Sequence, residues 1–233
     1  PNLLTLSNLF CGSVAVVSAL VWGDLKLAFG LMVLAAVFDF FDGFAARLLN
    51  QSSPIGLQLD SLADDISFGL APAAIMYSLY QWMPGIWLPE GYPGLVVFVF
   101  TACAALRLAK FNIDETQHTE FCGLPTPANA LFFVALGWMD AKTGFNQGGW
   151  VLLMVPAMSW LLISPVRMFA FKFQSFAFKG NEIRYIFIAL AVVLLVALGI
   201  PAVPIVILLY IAISAVGWGM SLKKPGSAAC PEK

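Results

Sequence analysis

The chain has 233 residues, 61% of them hydrophobic and only 11% charged, with a net charge of −1. A soluble domain is nearer half apolar and a quarter charged, so this composition excludes an ordinary soluble globule. The near-neutral charge also excludes the basic surface that nucleic-acid binding needs.

Apolar stretches fall in chain order at 3–22, 27–49, 56–82, 94–112, 128–145, 149–170, 184–200 and 203–221. The first lacks a basic flank followed by a small-residue cleavage site, so it is expected to be a retained span. Turn chemistry marks the breaks: Gly23-Asp24, Asn50 to Pro54, the Pro/Gly-rich 84–94, the polar 114–127, and Pro201-Ala-Val-Pro204. At ~20 residues per span, the expectation is an all-α polytopic membrane bundle of about eight transmembrane helices. It would form a single domain over 1–222, a six-helix core plus a C-terminal hairpin, with a polar cytoplasmic tail at 223–233. The last two stretches are short, which leaves six or seven spans open. The cysteines (Cys11, Cys103, Cys122, Cys230) form no metal signature and read as small buried residues or free thiols.

Lysine and arginine are unevenly shared across this layout. One side holds Arg47, Arg107, Lys110, Arg167, Lys172, Lys179, Arg184, Lys223, Lys224 and Lys233, and the other only Lys26 and Lys142. The positive-inside rule then puts both termini in the cytoplasm and the segment 84–94 outside.

One segment stands out against the apolar background. Asp39 and Asp42 are spaced i,i+3, and Asp60 and Asp64 i,i+4, so each pair shares a helix face. The turn at 50–54 folds the two helices back antiparallel and brings the pairs together near the cytoplasmic surface. A bare carboxylate at the bilayer centre costs ~2.5–3.5 kcal/mol, so four would cost on the order of 10 kcal/mol without compensation. Convergent carboxylates without His or Cys suit a hard cation such as Mg²⁺, Mn²⁺ or Ca²⁺. A proton or cation pathway in a transporter fits the same residues. Gly43, Ala46 and Gly56 let a ligand approach the helix backbone, or simply pack helices. Arg47 reads as a charge that snorkels and sets topology, or as a ligand contact. Asp65 faces about 100° away from Asp64 and should lie outside the cluster.

The pattern Asp39-x2-Asp42-Gly43-x2-Ala46-Arg47-x8-Gly56-x3-Asp60-x3-Asp64 resembles, without departure, the signature of the CDP-alcohol phosphotransferase family. The resemblance implies a membrane transferase moving a substituted phosphoryl group from a CDP-linked donor to an alcohol, with release of CMP. It implies two Mg²⁺ or Mn²⁺ ions held by Asp39, Asp42, Asp60 and Asp64, with Asp64 also the general base. Gly43, Ala46 and Gly56 would make room for the cytidine, and Arg47 would lie near the donor. Asn2 and Thr5 belong to an opening Pro-Asn-x-x-Thr stretch that resembles the family's nucleotide-approaching start.

Secondary stretches narrow the resemblance further: Asn8-Leu-Phe-Cys-Gly12, Arg107-Leu-Ala-Lys110-Phe-Asn112, Gly123-Leu-Pro125-Thr-Pro127 and Phe171-Lys172. They resemble integral-membrane bacterial members whose donor is CDP-diacylglycerol and whose acceptor is L-serine. Arg107, Lys110 and Asn112 suit an acceptor carboxylate or donor phosphates, or anchor the chain at lipid headgroups; Arg167 and Lys172 could bind phosphate or only set topology. Other acceptors of the family (glycerol 3-phosphate, inositol phosphate, choline) or an archaeal-lipid donor stay open. The resemblance further implies a homodimer in the cell's inner (cytoplasmic) membrane, with the site facing the cytoplasm.

Overall fold

A computed structural model describes residues 2–49, 53–81, 92–113, 120–143, 148–169 and 181–221. In chain order the elements are α1 (Asn2–Val17), α2 (Leu25–Leu48), α3 (Pro54–Asp64), α4 (Ala71–Gln81) and α5 (Val99–Ile113). There follow β1 (Glu120–Cys122), α6 (Thr126–Thr143), α7 (Gly148–Ile163), β2 (Arg167–Phe169), α8 (Glu182–Leu198) and α9 (Ala202–Ser221). A π-helical Ser18–Trp22 extends α1, a π-helical Asp65–Leu70 fuses α3 to α4, and a 3₁₀ stretch Tyr92–Phe98 leads into α5. The described residues thus form eight helical rods. Four segments, Asn2–Trp22, Leu25–Ala46, Gly94–Ile113 and Ala202–Gly219, are long and apolar enough to cross a membrane, and three shorter apolar helices accompany them. The protein is an all-α polytopic membrane protein.

Local chemistry sets the helix starts. The Asp24 carboxylate accepts from the backbone N–H groups of Lys26 and Leu27 at 3.1 and 2.9 Å, capping α2. Ser53 Oγ accepts from Gly56 N at 3.0 Å, with Pro54 in the first turn of α3. Gly199 to Pro201 separates α8 from α9, so the last two apolar stretches are distinct helices. The polar tail at 223–233 lies outside the described residues.

The rod over 54–81 is the axis of the bundle. Phe68, Ala71, Ala73, Ala74, Ile75, Met76 and Leu79 on it are all buried, as expected of a helix that is apolar all round. Phe100, Phe132 and Phe133 stack edge to face beside it, with centroids 5.1 to 5.5 Å apart. The helix α1 crosses this rod at Gly12, where a Cβ would run into the Ser67 side chain and come within 2.7 Å of the Ser67 Cα. At the far side of the core, α9 packs on α6 and β2, and α8 on α9.

Two details depart from the expectation. The stretch 149–170 is not one span: α7 stops at Ile163, and Ser164-Pro165 turns the chain into β2. Pro165 has no N–H to give and disfavours a helical residue before it. The strand β2 pairs antiparallel with β1, Cys122 opposite Arg167, a ribbon made from segments too short to read by pattern. The turn that follows is fixed to the end of α7, because Gly123 N donates to Val166 O and Leu124 N to Leu161 O, both at 2.9 Å. Gly123 holds φ +76°, and a Cβ there would collide with the Leu162 carbonyl. Second, Cys11 and Cys103 are free thiols as expected, but Cys122 is disulfide-bonded.

The Gly12 crossing can be tested directly. Gly12→Ala should lower the thermal unfolding midpoint in detergent, at an overpacking cost of ~1–3 kcal/mol. Gly30→Ala, where a Cβ meets nothing within 4 Å, should leave the midpoint unchanged or raise it. Equal behaviour of the two variants would mean that the helices do not cross at Gly12.

Candidate active site

The cluster is assembled by two neighbouring rods. The last third of α2 supplies Asp39 and Asp42, and α3 supplies Asp60 and Asp64. One oxygen from each of Asp39, Asp42 and Asp60 lies within 4.8 Å of the others. The Asp64 carboxyl comes within hydrogen-bond reach of that of Asp39. Asp42 is only 5% exposed, and its carboxylate takes hydrogen bonds from the Thr5 side chain and the Gly43 N–H. Asp42 Oδ2 and Asp60 Oδ1 are nonetheless sealed from solvent without a hydrogen-bond partner among the described residues. Buried carboxylate oxygens without donors, gathered this closely, fit a hard divalent cation. The cluster can therefore hold a metal ion.

The inner stripe of α1 closes the site. Thr5, Asn8, Cys11, Gly12 and Ala15 are its buried residues, on one helical face. Asn8 Nδ2 donates to Asp64 Oδ1 at 3.2 Å, while Ser67 Oγ donates to the Asn8 carbonyl at 3.0 Å. The sequence reading did not place Asn8 in the site. Its signal was available, since Thr5 and Asn8 are polar, i,i+3, and on the face that also carries Gly12. At the α1 N-terminus, Asn2 Oδ1 lies 3.5 Å from where a Gly56 Cβ would stand, so two of the expected donor-binding positions meet. Gly43 and Ala46 are half-buried on α2. The side chain of Arg47 lies outside the described residues.

Of the expected acceptor or phosphate residues, Arg107 is the one the fold brings to the cluster. Its Nη1 donates to Thr126 Oγ1 at 2.9 Å, and its Nε is buried with no hydrogen-bond partner among the described residues. The guanidinium is within electrostatic reach of Asp64 and of Tyr210 on α9. Asn112 Nδ2 donates to Ser61 Oγ at 2.8 Å, next to Asp60, and so ties α5 to α3. Lys110 is exposed on the outside of α5, and Arg167 is half-buried in β2. Lys172 lies outside the described residues. Thr126 and Tyr210 were not legible as partners of Arg107, because only the packing of α5, α6 and α9 brings them together. Asp65 sits outside the three-oxygen group, as its phase predicts. Its Oδ1 is buried against Gly69, facing Ala104 on α5, and makes no hydrogen bond.

A bundle of membrane helices carrying a buried set of hard oxygen donors, with a buried guanidinium beside it, defines a membrane protein with an acidic metal-type site. More particularly, the chain belongs to the CDP-alcohol phosphatidyltransferase family, whose sequence profile matches residues 1–166. That membership sets aside the ion-pathway alternative and accounts for a CDP-linked donor and a membrane-lipid setting. The chain is 33% identical over 175 residues to a Bacillus subtilis protein named CDP-diacylglycerol–serine O-phosphatidyltransferase, covering 74% of this chain and 90% of that one. A Helicobacter pylori protein of the same name is 33% identical over 199 residues, covering 83% of this chain and 81% of the relative. A Mycobacterium tuberculosis protein, also so named, is 35% identical over 182 residues, or 72% of this chain. The chain spans 60% of that mycobacterial relative's length.

The clustered charges have a consequence for stability. Carboxylates crowded within 4.8 Å repel one another when no cation is present. In EDTA, Asp39→Asn or Asp60→Asn should therefore raise the thermal midpoint, by about 2–4 °C for each kcal/mol of repulsion relieved. Mg²⁺ should stabilise the parent protein more than either variant. A lowered midpoint for both variants in EDTA would show that the carboxylates are held by donors rather than repelling.

Proposed function

We propose that this protein makes phosphatidylserine and CMP from CDP-diacylglycerol and L-serine. The observation that carries the reading is the set of four convergent carboxylates beside the buried Arg107 guanidinium, in a chain of this family. Asp39, Asp42, Asp60 and Asp64 would hold two Mg²⁺ or Mn²⁺ ions. When bound, such ions neutralise the donor diphosphate and the leaving CMP.

The protein's own residues do the rest. Asp64 takes the proton of the serine hydroxyl, whose oxygen forms a bond to the phosphorus carrying diacylglycerol. The bond from that phosphorus to the bridging oxygen breaks, and CMP leaves with the electron pair. Asn2, Thr5, Gly43, Ala46, Arg47 and Gly56 form the donor side, the three small residues leaving room for the nucleotide. Arg107 binds the serine carboxylate through a charge-assisted hydrogen bond, held in place by Thr126. Asn112 steadies the α3–α5 contact beside Asp60, while Lys110, Arg167 and Lys172 would serve phosphate or headgroups, or set topology, at the basic side of the membrane. The reading includes a homodimer in the cytoplasmic membrane, with the site open to the cytoplasm.

The test is CMP release from CDP-diacylglycerol with serine, glycerol 3-phosphate, inositol phosphate or choline as acceptor. Serine should be strongly preferred, and activity should vanish in EDTA. Asn at any one of the four cluster positions should lower the rate by at least ~10²-fold. Arg107→Gln should raise the serine KM ~10- to 100-fold and move the CDP-diacylglycerol KM less. A better acceptor than serine would overturn the serine assignment and leave the family chemistry standing.

The orientation is tested separately by single-cysteine labelling in a cysteine-free background. Positions in 114–127 and 172–183 should label from the cytoplasmic side, and position 90 from outside. Cytoplasmic labelling of position 90 would reverse the arrangement.

A further inference from the structure

Asn8 is wholly buried, and its two amide atoms are in different circumstances. Nδ2 is committed to Asp64 Oδ1 at 3.2 Å, because a carboxylate oxygen can only accept from the amide's donor end. That orientation leaves Oδ1 as a sealed carbonyl with no hydrogen-bond partner among the described residues. A buried acceptor without a donor is costly, and the amide cannot turn over without setting its oxygen against Asp64. From amide bond lengths, Oδ1 lies no more than about 5.4 Å from the Asp64 oxygen. The backbone of Asn8 is also fixed, since its carbonyl receives the Ser67 hydroxyl at 3.0 Å. The unused oxygen is therefore held beside the carboxylate that is to receive the acceptor's proton.

We infer that Asn8 Oδ1 is the acceptor for the ammonium group of the amino-acid substrate. The inference rests on the proposed serine acceptor and deepens it. Serine carries its hydroxyl and ammonium on adjacent carbons, about 3 Å apart by covalent geometry. With the hydroxyl on Asp64, the ammonium falls within reach of an oxygen fixed at this distance. Its carboxylate is left for Arg107, whose guanidinium is within electrostatic reach of Asp64 and whose Nε is buried without a hydrogen-bond partner among the described residues. Asp64, Asn8 and Arg107 thus match hydroxyl, ammonium and carboxylate in turn. Specificity follows from the unmet carbonyl, since an acceptor lacking the ammonium leaves it unpaired.

The experiment compares L-serine with 3-hydroxypropanoate, which keeps hydroxyl and carboxylate but has no ammonium. The parent protein should prefer serine in kcat/KM by ~10- to 100-fold, the range of one charge-assisted hydrogen bond. Asn8→Ala should remove most of that preference by raising the serine KM, with the KM for CDP-diacylglycerol little changed. Asn8→Asp preserves volume and an acceptor oxygen but replaces the donor to Asp64 with a repelling charge. It should keep the preference for serine while kcat falls, and it keeps the test readable if the alanine variant fails to fold. Equal losses toward both acceptors in Asn8→Ala, or loss of the preference in Asn8→Asp, would overturn the inference and leave Asn8 as a support for Asp64. A parent protein that does not use serine at all fails the proposed function instead, before any Asn8 variant is compared.

Discussion

Four carboxylates have to be kept inside a bundle that is otherwise apolar, and much of the architecture follows from how they are tolerated. Each is unfavourable in hydrocarbon, and each worsens the position of the others. The protein meets this by putting the pairs on two rods joined by a short turn and by covering them with the polar stripe of α1. Thr5 and Gly43 are spent on Asp42, and Asn8 on Asp64. The remaining deficit, the unpartnered oxygens on Asp42 and Asp60, is what a divalent cation would satisfy. Destabilisation of the bare protein and affinity for a metal are thus two descriptions of one arrangement.

That arrangement needs a rigid reference, and the rod over 54–81 supplies it. Its inner half is buried on all sides, while its outer half carries Asp60 and Asp64. The π-helical stretch Asp65–Leu70 lies where these halves meet, and α1 crosses it at Gly12, where a Cβ would run into Ser67. The close approach at Gly12 and the hydrogen bond from Asn8 to Asp64 both hold α1 against this rod. On the opposite flank, the ribbon between β1 and β2 ties the start of α6 to the end of α7, which fixes Thr126 under Arg107.

Much of this was legible in the sequence because it is written in short-range spacing. Asp39 with Asp42, and Asp60 with Asp64, declare shared helix faces, and Asp65 declares its absence from them, without knowledge of any long-range contact. The apolar stretches and their Gly and Pro punctuation give the rods to within a few residues. Other features depend on residues far apart in the chain. Arg107 finds Thr126 across one connection and Tyr210 across three further helices, and no local pattern announces either. The end of α7 falls earlier than the apolar stretch suggests because Val166, Met168, Phe169 and Ala170 continue its apolar character around Arg167, and Ser164-Pro165 is the short signal of the turn. Asn8 is an intermediate case: a lone amide on an apolar helix is visible, but its partner is 56 residues away.

The outer face of α2 bears on where the work is done. On the helix that carries Asp39 and Asp42, Phe40, Phe41, Phe44 and Leu48 are exposed large apolar side chains. A single helix thickness therefore separates the acidic cluster from the acyl chains of the surrounding bilayer. Under the proposed function, a donor anchored by fatty-acyl tails would bring its diphosphate to the cluster while those tails stay among their neighbours, and its lipid product would leave by the same sideways route. Encounter is then a search in two dimensions. The rate at which the site is supplied follows the mole fraction of donor in the leaflet, and diluting the surrounding water leaves it unchanged.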